Sequence, residues 1–287
     1  MQRILLCTDG SDYARNSYFY AAWLAQRLNA SVDVLYVTDA RSQSTAQARN
    51  LSGSIGLGAT KALLNQLVEL EHEKAKLEHQ RAKHLLEEAE ETLRTAGVEQ
   101  VKLIHETGFL VDYLQELGVD ADLIVLGKRG ENSQFAASHL GSNLERILRS
   151  CHHPCLVTSQ QTRPIEQVCL AYDGSESCQK LQQFILDSPL FADLSVHLIT
   201  VGRSRQDEKA IARLAEAQNA FRRSDFTPIS DLLVGHPEIE IAKYNKQHKI
   251  DLLLLGAYGH SRIRQLVIGS TTAQILRSTE IPVLAFR

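Results

Sequence analysis

Apolar residues in this chain gather in short runs that recur along its length. Ile4-Leu5-Leu6-Cys7, Leu123-Ile124-Val125-Leu126, Val168-Cys169-Leu170-Ala171 and Leu252-Leu253-Leu254-Leu255 contain no polar alternation. That is the pattern of strands covered on both faces of a parallel sheet. Strands are predicted near Arg3 to Thr8, Val32 to Val37, Val101 to His105, Asp122 to Gly127 and Cys155 to Thr158. A second series is predicted near Gln167 to Ala171, Ser195 to Val201, Thr227 to Leu233, Asp251 to Leu255 and Pro282 to Phe286. Stretches with helical spacing lie between them. Ser11 caps one that runs to about Asn29. Lys61 to Ala96 carries no proline and is followed by Gly97, which suits a C-cap. Further helices are predicted from Phe109 to Leu117, from Gly141-Ser142 to near Arg149, from Gln206 to Arg223, and from Ser270-Thr271-Thr272 through Arg277. Thr38 to Thr60, polar and containing Gly53, Gly56 and Gly58, reads as a mobile loop. Alternating strands and helices imply parallel sheets with right-handed crossovers. The fold class is α/β, in two doubly wound parallel five-stranded sheets.

Two sheets are expected because the pattern occurs twice. Cys7-Thr8-Asp9-Gly10-Ser11 matches Ala171-Tyr172-Asp173-Gly174-Ser175, and Leu140-Gly141-Ser142 matches Ile268-Gly269-Ser270. The run from Asp122 through Gly127 to Gly130 matches that from Asp251 through Gly256 to Gly259. Ile147-Leu148-Arg149-Ser150 is identical to Ile275-Leu276-Arg277-Ser278, and Pro154 or Pro282 follows each. Blocks recurring in one order mark a duplicated domain: residues 1–160 and 165–287, joined near Gln160 to Pro164. The first copy carries the long helical insertion. Its Glu71 to His84 segment is charged almost all round, which suits a solvated surface helix or one that meets a partner or a second copy.

Composition narrows the function. At 287 residues the chain is long enough for one large domain or two ordinary ones, and 44% hydrophobic and 23% charged residues are typical of a soluble globular protein. A net charge of −3 provides no global basic surface for nucleic acid. No apolar run reaches the ~18–20 residues of a membrane span, and the N-terminus reads as a strand and not as a signal peptide. A cytoplasmic location follows. The five cysteines make an odd count with no framework spacing, as expected of free thiols in a reducing compartment. Cys151-His152-His153-Pro154-Cys155 is better read as a helix end and a buried strand start than as a metal cluster, because no second ligand group stands at a suitable spacing.

The chemistry is concentrated after the fourth strand of each copy. Gly256 and Gly259 let the backbone approach a ligand without a Cβ in the way. Gly269, Ser270 and Thr271 present N–H and O–H donors at a helix N-terminus, which attracts anions. This is a phosphate cradle without a Walker A Gly-Lys-Ser/Thr and without the compact dinucleotide glycine turn. In a doubly wound sheet the crevice lies beyond the carboxyl ends of the strands, where strand order reverses. Asp173 then faces Gly256 and Gly259 and can accept from a ribose hydroxyl or a base amine. Val201 supplies backbone groups to an adenine edge, and His260, Arg262 and Arg264 stand near the phosphates. The alternatives are a turn or cap role for Asp173 and a solvated loop for the arginines. The corresponding positions of the first copy are Asp9, Val37, Gly127, Gly130, Gly141 and Ser142.

These residues resemble the universal stress protein family in a tandem arrangement. The spacing Gly-x2-Gly-x9-Gly-Ser at Gly256, Gly259, Gly269 and Ser270 is similar to the signature of that family's ATP-binding branch. The resemblance implies a flavodoxin-like or adenine nucleotide α-hydrolase-like sandwich with strand order 3-2-1-4-5. It also implies pairing through the last strands, so that Pro154 to Thr158 lies against Pro282 to Phe286 within one chain, with homodimerisation open. The expected ligand is ATP or another adenine nucleotide, with or without Mg. The first copy departs from the pattern: ten residues, Glu131 to Leu140, separate Gly130 from Gly141, and Glu131 opposes the charges of Lys128 and Arg129. Binding is therefore expected in the second copy and is open in the first. Leu51 to Gly58 is similar to an insertion found in the first domain of several tandem members. The function so implied is a stress-response sensor or regulator with an unidentified protein partner and little turnover. The alternatives are a slow ATPase or transferase with His260 as its base, and a nucleotide-free scaffold acting through the long helix.

Overall fold

The computed structural model describes residues 1–39, 57–116, 120–130, 142–150, 153–224, 226–256 and 270–287. The first half contains β1 (Arg3–Thr8), β2 (Ser31–Asp39), β3 (Val101–Gly108), β4 (Leu123–Gly127) and β5 (Cys155–Thr158). Its helices are α1 (Asp12–Leu28), α2 (Leu57–Thr95), α3 (Leu110–Glu116) and α4 (Ser142–Ser150). The second half contains β6 (Gln167–Ala171), β7 (Ser195–Gly202), β8 (Ile229–Val234), β9 (Leu252–Gly256) and β10 (Val283–Phe286). Its helices are α5 (Glu176–Asp187), α6 (Glu208–Phe221), α7 (Pro237–Gln247) and α8 (Ser270–Ser278). The α5 and α7 helices stand beyond the elements expected above. In α7 few side chains are buried, among them Ile241, Tyr244 and Asn245, so its apolar stripe is thin in the sequence.

Among the described residues ten strands form one sheet, of order β3-β2-β1-β4-β5-β10-β9-β6-β7-β8. Each half has the order 3-2-1-4-5 with parallel neighbours. The two five-stranded sheets fuse because β5 and β10 pair antiparallel, with Leu156 opposite Leu284. Both strands are buried throughout, and an apolar edge strand left open is a template for another strand. Alternate residues feed two cores, one on each face of the sheet. One packs α1, α2, α5 and α6 onto Leu6, Val34, Leu156, Leu170, Leu254 and Leu284. The other packs α3, α4, α7 and α8 onto Leu5, Ile124, Val157, Cys169, Leu253 and Ala285. Each core runs across the seam, so the halves share their interior. The outermost strands, β3 and β8, are only part-buried.

Local signals operate as expected in the first crossover. The Ser11 hydroxyl accepts from the Ala14 amide at 3.3 Å to open α1, and Asn29, left-handed at φ 50°, closes it. Gly97 turns the chain after α2 at φ +89°. The segment between the halves is strapped to α1. Asn16 donates to the Gln160 carbonyl, and the Tyr20 hydroxyl donates to the Gln161 carbonyl and accepts from the Arg163 amide. The α2 helix begins at Leu57, four residues before the expected Lys61. The rest of the expected loop from Thr38 lies in β2 or outside the described residues. From Ala82 onward α2 packs with Leu85, Leu86, Ala89 and Leu93 buried, whereas Val68, Leu70 and Leu77 stand exposed.

Candidate functional site

β1 pairs with β2 on one side and β4 on the other, and β6 likewise with β7 and β9. These are the two reversal points, and the carboxyl end of the middle strand carries the Asp-Gly-Ser turn at each. The turns are built alike. Asp9 Oδ1 accepts from the Ser11 amide at 3.0 Å, and Asp173 Oδ1 accepts from the Ser175 amide at 2.8 Å. Gly10 and Gly174 have φ of +77° and +78°, a conformation that side chains rarely adopt. Ser175 then caps α5 by accepting from the Cys178 amide at 3.3 Å. The turn role considered for Asp173 is thus realised. It engages Oδ1 on an otherwise exposed residue.

The glycines that follow β4 and β9 meet these turns. A Cβ on Gly130 would lie 2.6 Å from Asp9 Oδ2, so the loop after β4 folds directly onto the Asp9 carboxylate. Gly127 and Gly256 have a packing role. A Cβ on Gly127 would come within 3.0 Å of Tyr13 Cβ, and one on Gly256 within 2.8 Å of Cys178 Sγ. Each allows a strand end to approach the first turn of the helix that follows the neighbouring strand, α1 after β1 or α5 after β6. Burial pushes the Cys178 thiol up to about 12, with the Asp173 carboxylate adding to the shift, so this sulfur is an inert packing group. Val37 and Val201 lie part-buried near the ends of β2 and β7.

Ser270 and Ser142 open α8 and α4, and Thr271 is exposed. Because β9 and β10 are parallel, α8 runs back against them and its N-terminus lies at the carboxyl edge, the same edge as Asp173. Gly259, His260, Arg262, Arg264, Gly269 and Gly141 lie outside the described residues, as do Cys151 and His152. Cys155 is buried, and its thiol donates to the His153 carbonyl at 3.4 Å. Among the described residues no helix is long and apolar enough to cross a membrane.

The comparisons agree with this architecture. Residues 1–159 and 202–287 match the family described as Universal stress protein family. The chain belongs to that family. A universal stress protein of Synechocystis sp. is 57% identical over 287 residues, which is 100% of each chain. A solved universal stress protein of Archaeoglobus fulgidus superposes with a TM-score of 0.71 at 17% identity, covering 99% of this chain and 96% of its own. A structure from Pseudomonas aeruginosa gives 0.64 at 17% identity, covering 100% and 93%. At such identity these structures speak for the fold.

Two features of this universal stress protein were not visible in its motifs. The first concerns Lys128, whose charge the sequence assigns to the first glycine loop. Its ammonium instead donates to the carbonyls of Arg277 at 2.9 Å and Thr279 at 2.7 Å, closing the C-terminal end of α8 in the other half. A cation there meets the negative end of the helix dipole. The arrangement is approximately reciprocal: Arg287 donates to the Arg149 carbonyl at the end of α4, and Arg277 pairs with Glu145 at 2.9 Å. Burial, and next the Arg129 guanidinium, pull the Lys128 pKa down to about 8 from an ordinary 10.5. Between those values the unfolded chain binds more protons, so stability rises with pH across that window. Relative to Lys128→Met, the wild-type protein is expected to gain on the order of 1 kcal/mol between about pH 8 and 10. Urea midpoints at each pH would read this, and parallel curves would show that Lys128 keeps an ordinary pKa.

The second feature is the residue lying over each Asp-Gly turn. In the first half it is apolar: a Cβ on Gly10 would lie 2.6 Å from Leu85 Cδ2 of α2. In the second half it is Arg213 of α6, whose Cγ, Cδ and Nε would lie 3.2, 3.3 and 3.4 Å from a Cβ on Gly174. No motif marks Arg213, because the contact joins elements some forty residues apart.

Proposed function

We propose that this universal stress protein binds an adenine nucleotide in its second half and serves as a stress-response sensor or regulator with little turnover. The reading treats residues 1–160 and 165–287 as two domains of one family, in a cytoplasmic protein. The observation that carries it is the convergence, at the β6 reversal, of the Asp173 turn, the start of the glycine loop at Gly256 and the N-terminal end of α8. Such an edge offers a carboxylate for the sugar and unpaired helix N–H groups for phosphate. ATP, with or without Mg, would lie from Val201 across Asp173 to Gly259, Gly269, Ser270 and Thr271, with His260 and Arg262 beside the phosphates. In the first half, Asp9, Val37, Gly127, Gly130, Gly141 and Ser142 are the corresponding set. Binding there is opposed by the longer loop, with its Glu131, and by the apolar Leu85 over Gly10.

Native mass measurement of the intact protein titrated with ATP tests this and reads the oligomeric state together. One nucleotide per chain is expected. Two would show that the first half binds as well. ADP appearing in stoichiometric excess would move the reading to a slow ATPase. No uptake at millimolar ATP would leave a scaffold, with the exposed outer part of α2 as its contact surface.

A further inference from the structure

We infer that Arg213 recognises the phosphate next to the sugar and so sets the second half's preference for nucleotides over nucleosides. This deepens the proposed function and rests on it. The two halves present the same turn, with matched Asp bonds, matched serine caps and glycine φ values one degree apart. What differs is the helix that lies over the turn. The α2 and α6 helices occupy corresponding places on one face of the sheet. In the first half Leu85 is 6% exposed and fills the space above Gly10 with methyl groups. Three residues on, Glu88 is bound by Arg15 of α1, Nε to Oε1 at 2.8 Å. That side of the first turn is closed by packing and by an ion pair.

In the second half the stem of Arg213 lies on Gly174 and its Nε begins beside the turn, one residue from Asp173. Arg213 is part-buried, and among the described residues its guanidinium forms no ion pair. Arginines 3, 15, 94, 149 and 277 are all ion-paired. A guanidinium held by its stem at the mouth of a crevice, with its fork uncommitted, is suited to an oxyanion. The planar donor pair matches phosphate. A nucleotide whose sugar Asp173 held would carry its first phosphate on that sugar, beside the turn on which the Arg213 stem lies. The group recognised is therefore a nucleoside monophosphate unit, common to AMP and ATP.

The test compares dissociation constants of AMP, ATP and adenosine for wild-type protein and for Arg213→Leu, a residue already accommodated at the matching place in the first half. Charge-assisted hydrogen bonds contribute about 1.5–3 kcal/mol, so AMP and ATP should each weaken roughly 10- to 100-fold while adenosine is unchanged. Arg213→Lys, which keeps the charge without the fork, should recover part of the loss. Equal weakening of all three ligands would overturn the inference and make Arg213 a support for the turn. An effect on ATP alone would also overturn it, placing the arginine farther along the phosphate chain. Unchanged affinities would overturn it while leaving the nucleotide reading intact. Failure of the wild-type protein to bind any of them would overturn both.

Discussion

Asp173→Ala is expected to weaken ATP binding roughly 10- to 100-fold, the loss of a charged hydrogen-bond partner worth about 1.5–3 kcal/mol. The same change at Asp9 should leave the high-affinity site untouched. The pair is informative because both carboxylates hold the same turn, each accepting from the serine amide two residues on. Loss of that turn bond is therefore common to both variants, and the difference in affinity between them reads the ligand. Isothermal titration of each variant would supply the affinities, and thermal unfolding without ligand would supply the shared structural cost. Equal affinity in wild type and Asp173→Ala would remove Asp173 from the site and leave it as a turn former. Loss in Asp9→Ala instead would move the site to the first half.

The second large effect is structural. Gly256→Val should destabilise the protein by about 3 kcal/mol, at the upper end for overpacking a close contact. A Cβ there would stand 2.8 Å from Cys178 Sγ, 3.1 Å from Ser175 Oγ and 3.3 Å from the Cys178 amide. The last two belong to the capped first turn of α5, which cannot move without breaking the Ser175 cap at 3.3 Å. Gly256→Ala with Cys178→Ala should be milder than Gly256→Ala alone, because removing the sulfur vacates the nearest contact. Urea unfolding followed by fluorescence and by circular dichroism would measure all three. A Gly256→Val protein of wild-type stability that had lost nucleotide binding would restore the view that this glycine serves the ligand and not the packing.

The difference between those two views of Gly256 shows where sequence reading stops. Gly-x2-Gly at the end of an apolar strand is equally consistent with a ligand approaching the backbone and with a helix approaching it. Only the position of α5 separates them. Lys128 is a similar case: in sequence it is a cation in a glycine loop, and in space its ammonium lies on the last carbonyls of a helix nearly 150 residues away. Arg213 carries no motif, and its place over Gly174 follows from how α6 lies across the sheet.

What the sequence by itself determined is local and repetitive. Unbroken apolar runs specified strands buried on both faces, since each such residue must find cover on alternating sides of a sheet. Asp-Gly-Ser specified a turn and a helix cap, because a short acceptor side chain, a residue free to take positive φ and a hydroxyl can satisfy the same few amides in either half. The repetition of these blocks in one order, with the glycine-loop spacing, specified the family, and through it the strand order within each half. The family resemblance also implied that the last strands pair, as β5 and β10 do; the tertiary structure decided what that pairing brings together and what each polar group faces. The β5 and β10 edges close on each other because paired backbone groups and covered leucines are lower in free energy than two open edges. That closure makes one sheet with two shared cores, brings Lys128 to α8, and sets a leucine over one turn and an arginine over the other. Such contacts depend on the relative placement of whole elements, which no short window of sequence encodes.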